Sequence, residues 1–376
     1  MALIARKTLT DSSEQDSFAR AALLLLAVLV AGAWFLTLDA RHLLRSDEGR
    51  YAEIAREMLA SGDWVTVRYN GLKYFEKPPF QIWMTALAFK AFGLGEWQAR
   101  LWVAISGAAG MLITAEAARR WFGPRVALFA GLVLLAAPGW NLGSHFNSLD
   151  MGVSGALAFV LAGVLIAQHP SASLPERRRW MWVAWAAMGV AVLTKGLIGI
   201  VLPGLVLVVY TVSARDFGLW RRLHVASGLL VLLAITEPWF VLVAQRNPEF
   251  LNFFFVHEHL QRFLSTVHHR EGAWWYFIPI GLAGFLPWLP LSSVLPSVVR
   301  GERRGSGFRP VLLLVVWAAS IFVFFSFSSS KLPGYILPVY PALAIIAALA
   351  LDKLRPAQWD RQVVIAGAFA GCALLS

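Results

Sequence analysis

The sequence predicts an all-α, polytopic membrane protein, and three observations lead to this fold class. Apolar residues make up 58% of the 376 positions and charged residues only 15%, against about 45–50% and about 25% in ordinary soluble domains. The mean hydropathy is +0.62. The apolar residues fall in stretches long enough to cross a bilayer, where the backbone must satisfy its hydrogen bonds within the segment. Most soluble enzymes, disordered chains and coiled coils are therefore excluded.

Eleven apolar stretches are predicted to span the membrane, since a helix needs about 20 mostly apolar residues to cross the hydrocarbon core. The first, Phe18–Leu38, follows a polar leader that has no small-residue cleavage site, so we interpret it as an uncleaved anchor. The later stretches are Leu101–Ala118, Val126–Leu142, Met151–Gln168, Met181–Thr194, Leu197–Ser213, Val225–Ala244, Ala273–Val299, Val311–Phe327, Tyr335–Leu351 and Val363–Ser376.

The segment Phe80–Phe92 is apolar but too short to cross, because 13 residues give a helix of only about 20 Å. We interpret it as an interfacial helix. With the N-terminus in the cytoplasm, the cytoplasmic segments then hold 19 of the 33 lysines and arginines and 9 of the 22 acids, as the positive-inside rule requires. The net charge of +11 is thus explained by topology, and no nucleic-acid partner is expected. Residues 1–376 are predicted to form a single membrane domain.

The long outer loop, residues 39–100, contains a second predicted interfacial helix. Tyr51, Ile54 and Met58 recur at helical spacing, the charged residues between them, Arg50 included, face away, and Gly62 marks the end of the pattern. Asp47 stands at the start, where an acid commonly caps a helix and complements its dipole. Helix capping alone would explain why an acid stands at this position. A catalytic role for Asp47 is the alternative interpretation.

Further charged residues lie on the same outer side. Glu76 and Lys77 precede two prolines that fix a rigid turn, although a plain surface ion pair is an alternative. Asp150 follows the third span, where it too could serve as a cap. Lys195 lies in a stretch otherwise free of charge for over thirty residues, and an ionisable group there is a functional candidate unless it only snorkels to the interface.

A second outer loop, residues 245–272, supplies histidines and another cation. His257 and His259 could bind Zn²⁺ together with Glu76, although histidines near a membrane surface more often form hydrogen bonds alone. Arg262 joins Lys77 and two other outer lysines in a cationic set. Cations at one level with acids between them favour a phosphate site with a general base, and a solvated rim is the alternative. The cationic set is Lys77, Lys195, Arg262 and Lys331.

Five blocks of this sequence resemble a known family, the undecaprenyl-phosphate aminoarabinose transferases of lipid A. These enzymes belong with the protein O-mannosyltransferases to the GT-C membrane glycosyltransferases. The blocks run over residues 47–58, 75–79, 194–196, 257–263 and 331–338, in the family's order, and cover nearly the whole chain. The resemblance implies a GT-C fold and an inner-membrane enzyme whose active site faces the periplasm. Longer members carry a soluble periplasmic C-terminal domain, which this sequence is expected to lack.

The resemblance also implies roles for individual residues. Asp47 and Asp150 would be the catalytic acids, and Glu76 with His257 would hold a divalent metal, zinc in the family's pattern, with His259 beside them. The implied donor is an undecaprenyl-phosphate-linked sugar and the implied acceptor is lipid A, joined in an inverting displacement. The residues that would bind the donor phosphate are Lys77, Arg262, Lys195, Tyr74 and Tyr335.

Three other functions fit the sequence less well. A mannosyltransferase that acts on protein is the alternative within the same enzyme class. A transporter or lipid flippase should place charges on broken helices in mid-bilayer, whereas the spans here are almost uncharged. A non-catalytic scaffold needs no cluster of acids, lysines and histidines on one side of the membrane.

Overall fold

The structure is a computed structural model that describes residues 30–45, 47–254, 272–302, 307–354 and 364. The chain divides into two compact units, residues 1–42 and residues 43–376. In the first unit the described residues form one apolar helix, α1, Val30–Asp39. This helix overlaps the end of the expected first span, whose earlier part lies outside the described residues. Most of the expected last span, Val363–Ser376, also lies outside them.

The regular secondary structure in the described part of the second unit is helical except for one two-stranded hairpin, in which Arg68–Tyr69 (β1) pairs antiparallel with Leu72–Lys73 (β2). Two 3₁₀ segments, Leu286–Ser293 and Pro333–Val339, interrupt the later helices. The α-helices are α2 Asp47–Ser61, α3 Phe80–Phe92, α4 Glu96–Phe122, α5 Pro124–Ala136, α6 Pro138–Ser144, α7 Leu149–Ala167, α8 Leu174–Lys195, α9 Ile198–Ala214, α10 Leu219–Arg222, α11 Val225–Arg246, α12 Phe277–Gly284, α13 Leu295–Arg300, α14 Pro310–Phe327 and α15 Tyr340–Asp352.

Five described helical stretches are long and apolar enough to cross a membrane, and α5 with α6 makes a sixth if this pair, bent by 67°, counts as one span. The protein is therefore a multi-pass membrane protein, and the full count of eleven stays a prediction. The five are α4, α7, α11, α14 and the stretch Pro333–Asp352. α8 has the length of a span, but its first turns carry four charged residues, and α9 has only 17 residues.

Two of the expected spans are not continuous helices. Val126–Leu142 bends by 67° between α5 and α6, where Pro138 begins the second helix. Residues 273–299 form α12, a 3₁₀ segment and α13 instead of one long helix. The prolines Pro287, Pro290 and Pro296 explain the breaks, because proline removes a backbone donor and its ring clashes with the preceding turn. Apolar content alone does not reveal such interruptions.

Helix α7 forms the centre of the second unit and packs between α4 and α8. All but two of its residues are buried. Small residues allow the close packing: a Cβ on Gly155 would lie 2.7 Å from the Ser106 carbonyl oxygen, and one on Gly163 would lie 2.8 Å from the Trp180 carbonyl oxygen. These glycines thereby bring α7 into close contact with α4 and α8.

The two short helices of the outer loop have the predicted bounds. α2 ends at Ser61, before Gly62 with φ of +70°, and α3 covers Phe80–Phe92. They pack against each other through a cluster that includes Tyr51, Ile54 and Ile82. The helix and its buried face are thus confirmed for α2, and the interfacial position of both helices stays a prediction.

Candidate active site

The start of α2 brings two charged residues to one side of the helix. Asp47 is its first residue, and Arg50, one turn later, forms an ion pair with the Asp47 carboxylate. The Arg50 guanidinium carbon also lies 5.2 Å from the centroid of the Tyr51 ring. Because residues three apart share a helix face, both charged groups point in the same direction.

The turn before α3 adds a second pair of charged residues. Pro78 and Pro79 restrict the backbone there, and α3 begins directly afterwards. Lys77 Nζ donates to the Glu76 carbonyl oxygen at 2.7 Å. The Glu76 carboxylate lies 3.4 Å from the Tyr74 hydroxyl, which donates to Oε2.

The facing ends of α7 and α8 supply a second acid–cation pair. Ser148 caps α7, and its hydroxyl accepts the Asp150 backbone N–H at 3.4 Å. The Asp150 carboxylate forms an ion pair with Nζ of Lys195, the last residue of α8. Lys195 Nζ also lies 4.2 Å from the centroid of the Tyr335 ring, within the range of a cation–π contact.

A glycine lets the segment before α15 approach this acid. A Cβ on Gly334 would lie 2.6 Å from Asp150 Oδ2, closer than non-bonded atoms tolerate. Only glycine therefore fits here without displacing the carboxylate. The contact places Tyr335, the next residue, against Lys195.

These segments surround one polar pocket of about 140 Å³. Three acidic and three cationic side chains face the pocket, so their formal charges cancel. The lining residues are Asp47, Arg50, Tyr51, Glu76, Lys77, Ser148, Leu149, Asp150, Lys195, Leu332 and Tyr335.

Burial and neighbouring charges shift the pKa values of two of these groups. Burial raises the pKa of the Tyr51 phenol well above its ordinary value of 10.0, with Tyr74 as the next cause, so the phenol keeps its proton at neutral pH. Burial lowers the pKa of Arg50, but the nearby groups of Tyr51, Tyr74, Asp47 and Glu76 together outweigh this effect and raise that pKa above its ordinary value. Arg50 is therefore a permanent cation.

The pocket unites most of the site residues expected from the sequence. Tyr74 does not line it but stands one layer behind, buried, with its hydroxyl toward Glu76. His257, His259 and Arg262 lie outside the described residues, so their positions stay predictions. The six that line the pocket are Asp47, Glu76, Lys77, Asp150, Lys195 and Tyr335.

One member of the expected cationic set has a different role. Lys331 is buried, and its ammonium donates to the carbonyl oxygens of Phe325, Ser326 and Ser328 at 3.3, 2.8 and 2.7 Å. These are carbonyls at the end of α14, where a cation complements the helix dipole. The prediction that Lys331 joins the phosphate-binding cations is wrong in the described structure, because its charge is used at this helix end.

Arg50 is the pocket cation that the sequence pattern assigned to the solvent-facing side of α2. It is half-buried and lines the pocket. The available signal was its spacing of three from Asp47, which places both residues on one face. Periodicity separates apolar from polar faces, but it cannot show that a polar face turns toward a pocket.

The described residues test only part of the predicted zinc site. Among them, no group of three His, Cys, Asp or Glu side chains is close enough to hold a metal ion. Glu76, the one expected ligand among the described residues, lines the pocket, and its role as a metal ligand stays a prediction. The two histidines that would complete the set fall outside the described ranges.

Comparisons with known proteins bear on these features. Residues 76–242 match the family described as dolichyl-phosphate-mannose-protein mannosyltransferase. The undecaprenyl phosphate-α-4-amino-4-deoxy-L-arabinose arabinosyl transferase of Edwardsiella ictaluri is 34% identical over 334 residues, which cover 88% of this chain and 59% of that protein. The chain thus spans about three fifths of the length of the curated relatives it matches.

Solved structures give the same result for the fold. The crystal structure of ArnT from Cupriavidus metallidurans bound to undecaprenyl phosphate is 57% identical, with a TM-score of 0.89 over 94% of this chain and 64% of that one. An oligosaccharyltransferase from Archaeoglobus fulgidus, 16% identical, matches at a TM-score of 0.55 over 93% of this chain and 54% of that one. The chain therefore has the GT-C fold and belongs to the membrane glycosyltransferase family that includes the aminoarabinose transferases and the protein O-mannosyltransferases.

Proposed function

We propose that this chain carries the catalytic membrane domain of a glycosyltransferase. It would move 4-amino-4-deoxy-L-arabinose, or a similar pentose or hexose, from a polyprenyl-phosphate donor to lipid A or a related periplasmic acceptor. One observation carries the proposal: three acids and three cations from separate segments line a single pocket. A departing phosphate needs cations where its charge develops, and the attacking acceptor needs an acid that orients it or accepts its proton.

The reaction is a single inverting displacement. An acceptor oxygen attacks the anomeric carbon, a new carbon–oxygen bond forms, and the bond from that carbon to the donor phosphate breaks. The phosphate leaves with the bonding electrons as polyprenyl phosphate. Asp47, at the start of α2, orients the acceptor or takes its proton, and its ion pair with Arg50 holds the carboxylate at the pocket.

The pocket cations bind the leaving group. Lys77, on its rigid turn, lines the pocket and would contact the donor phosphate, with Arg262 expected beside it from the sequence resemblance. Lys195 is held by Asp150 and the Tyr335 ring, which fixes the second acid–cation pair across the pocket. A charge-assisted hydrogen bond to phosphate is about twice as strong as a neutral one, so these cations favour the transition state in which negative charge grows.

The relatives support the donor class. The Cupriavidus ArnT structure contains undecaprenyl phosphate, and the curated relatives carry this lipid in their names. We place the chain in the bacterial inner membrane, with the N-terminus in the cytoplasm and the pocket facing the periplasm. The excess of positive charge on the proposed cytoplasmic side supports this orientation.

A divalent metal, zinc by the donor set, is part of the proposal. Glu76, His257 and His259 would hold it, and it would supply a fixed positive charge near the leaving phosphate. Elemental analysis of purified wild-type protein and Glu76→Ala tests this assignment, with Glu53→Ala on the far side of α2 as a control. We expect zinc in the wild type and control and a loss in Glu76→Ala. Equal zinc in all three would remove Glu76 as a ligand.

The overall function is tested by mass spectrometry of lipid A from cells that carry this gene, from cells that lack it, and from cells that lack it but are complemented with wild type or Asp150→Asn. We expect a mass difference of one added sugar that depends on the gene and is absent with Asp150→Asn. A sugar found on protein instead would favour the mannosyltransferase alternative. A difference in neither lipid A nor protein glycosylation would contradict the glycosyltransferase proposal.

A further inference from the structure

A buried ion pair lies directly behind the pocket, between Glu48 and Arg100. Glu48 is the second residue of α2, Arg100 lies near the start of α4, and their side chains are 0% and 1% exposed. The guanidinium makes two contacts with the carboxylate, Nε to Oε1 at 2.9 Å and Nη2 to Oε2 at 3.2 Å. Capping does not explain Glu48, because its carboxylate points into the protein.

The same carboxylate also accepts two backbone N–H groups, that of Leu44 at 3.0 Å on Oε2 and that of Asn147 at 3.0 Å on Oε1. The Asn147 side chain extends the network. Its Nδ2 donates to the Glu48 carbonyl oxygen at 3.4 Å, and its Oδ1 accepts from Gln81 Nε2 at 3.1 Å. The start of α2, α3, α4 and the segment before α7 are thus joined through one buried network.

This network is adjacent to both acids of the pocket. Glu48 directly follows Asp47, and Asn147 precedes Asp150 by three residues. The two acids come from segments about one hundred residues apart in the chain. The hydrogen bonds between Glu48 and Asn147 are therefore a direct link between the two segments that carry them.

Stability alone is a weak reason for such a network. The cost of desolvating two charges offsets most of their attraction, and an apolar pair of similar volume often stabilises a protein as well or better. Directed bonds to one carboxylate do something that an apolar pair cannot: they restrict both the rotation and the position of the groups they join. Supporting residues of this kind hold reacting groups in their productive geometry.

We propose that Glu48, Arg100 and Asn147 are positioning residues of the transfer reaction, which set the separation of Asp47 and Asp150 across the pocket. The inference rests on the proposed function. None of the three lines the pocket, so they act through the residues that do.

The test compares two double variants in proteoliposomes supplied with a polyprenyl-phosphate-linked sugar and lipid A. Glu48→Gln with Arg100→Gln removes both buried charges together, so that neither is left unpaired. Glu53→Gln with Arg56→Gln removes an exposed ion pair from the same helix and is the matched control. The readouts are kcat, the donor KM, direct binding of polyprenyl phosphate and the thermal unfolding midpoint.

For the buried double variant we expect a fall in kcat of about 10²-fold, as a misplacement of about 1 Å in a catalytic group can cause. Donor KM and polyprenyl-phosphate binding should be nearly unchanged, and the control should match wild type in every readout. Asn147→Ala, which leaves no buried charge unpaired by itself, should lower kcat in the same way by about tenfold.

Two results would overturn the inference while leaving the proposed function intact. If the buried double variant folds and keeps wild-type kcat, the network does not position the acids. If kcat falls only in proportion to lost polyprenyl-phosphate binding and a lower unfolding midpoint, the role is structural. If wild-type protein binds the donor lipid but transfers no sugar to any acceptor, the proposed function fails and this inference fails with it.

Discussion

Two layers of charge meet at the start of α2, and they differ in exposure rather than in chemistry. In the pocket, the side chains of the pairs Asp47–Arg50 and Asp150–Lys195 are 13% to 26% exposed. In the layer behind, the Glu48–Arg100 pair is fully buried. Consecutive residues, Asp47 and Glu48, belong to different layers.

The difference in exposure gives the two layers different capacities. A pair open to water exchanges partners at little cost, because water or an incoming anion replaces the lost contact. A buried pair cannot exchange, since either charge left alone is strongly unfavourable. The pocket layer therefore suits binding and proton transfer, and the buried layer suits fixed geometry.

The largest effect is expected from the acid of the pocket layer. Asp47→Asn should lower the transfer rate by about 10²–10⁴-fold, the usual contribution of a general base, while polyprenyl-phosphate binding stays nearly intact. Turnover and binding are measured on the same proteoliposomes. Glu53→Gln, on the outward side of α2, is the control and should behave as wild type. A normal transfer rate in Asp47→Asn would exclude its catalytic role.

The buried layer should dominate stability. Arg100→Met leaves the Glu48 carboxylate buried without its cation and should lower the free energy of unfolding by about 3–5 kcal/mol. The exposed cation Arg56 on α2, the helix that carries Glu48, offers the contrast, because Arg56→Met should cause no measurable change. Unfolding in detergent, followed by circular dichroism, measures both. Equal losses would contradict the distinction between the layers.

A smaller effect separates two lysines that sequence alone treats alike. Lys77→Ala should weaken binding of polyprenyl phosphate by about tenfold to 100-fold, as expected for one lost charge-assisted hydrogen bond. Lys331→Met should lower stability and leave this affinity unchanged, because the Lys331 ammonium binds the end of α14. Titration with the lipid in detergent gives both affinities. If Lys331→Met weakens binding as much as Lys77→Ala, the assignment of Lys331 to the helix end is incomplete.

The smallest effect concerns alkaline pH. Because burial raises the pKa of Tyr51 above its ordinary value of 10.0, the folded protein retains a proton that the unfolded chain loses. Stability is unaffected below pH 10 and falls as pH rises above 10 toward the folded pKa. Tyr51→Phe should therefore make the unfolding midpoint less dependent on pH between about 9 and 11. Parallel curves for wild type and variant would show that Tyr51 does not titrate in this range.

Much of the fold could be predicted because it depends on local pattern. The 3.6-residue repeat of apolar side chains predicts α2 and its buried face, and flanking Pro79 and Gly93 bound α3. The span expected over residues 273–299 failed for an equally local reason. Its prolines interrupt the helix, whereas a count of apolar residues registers only composition.

The candidate site was less evenly predictable. Asp47, Lys77 and Asp150 could be selected because charged residues are rare in this chain and these stand in segments on one side of the membrane. Lys331 met the same criterion and has another role. The sequence does not single out Arg50, because a charged residue on the polar face of an amphipathic helix is ordinary. The structure shows that this face turns toward the pocket.

The sequence by itself determines the class of this protein, since only membrane helices accommodate so much apolar surface with so few charges. It also determines the short list of ionisable residues from which a site could be built. The tertiary structure alone decides which of them share a pocket and which, like Glu48 and Arg100, lie behind it. The physical reason is that their separation depends on how closely α4, α7 and α8 pack through small residues, and side chains 52 positions apart carry no local signal of their contact.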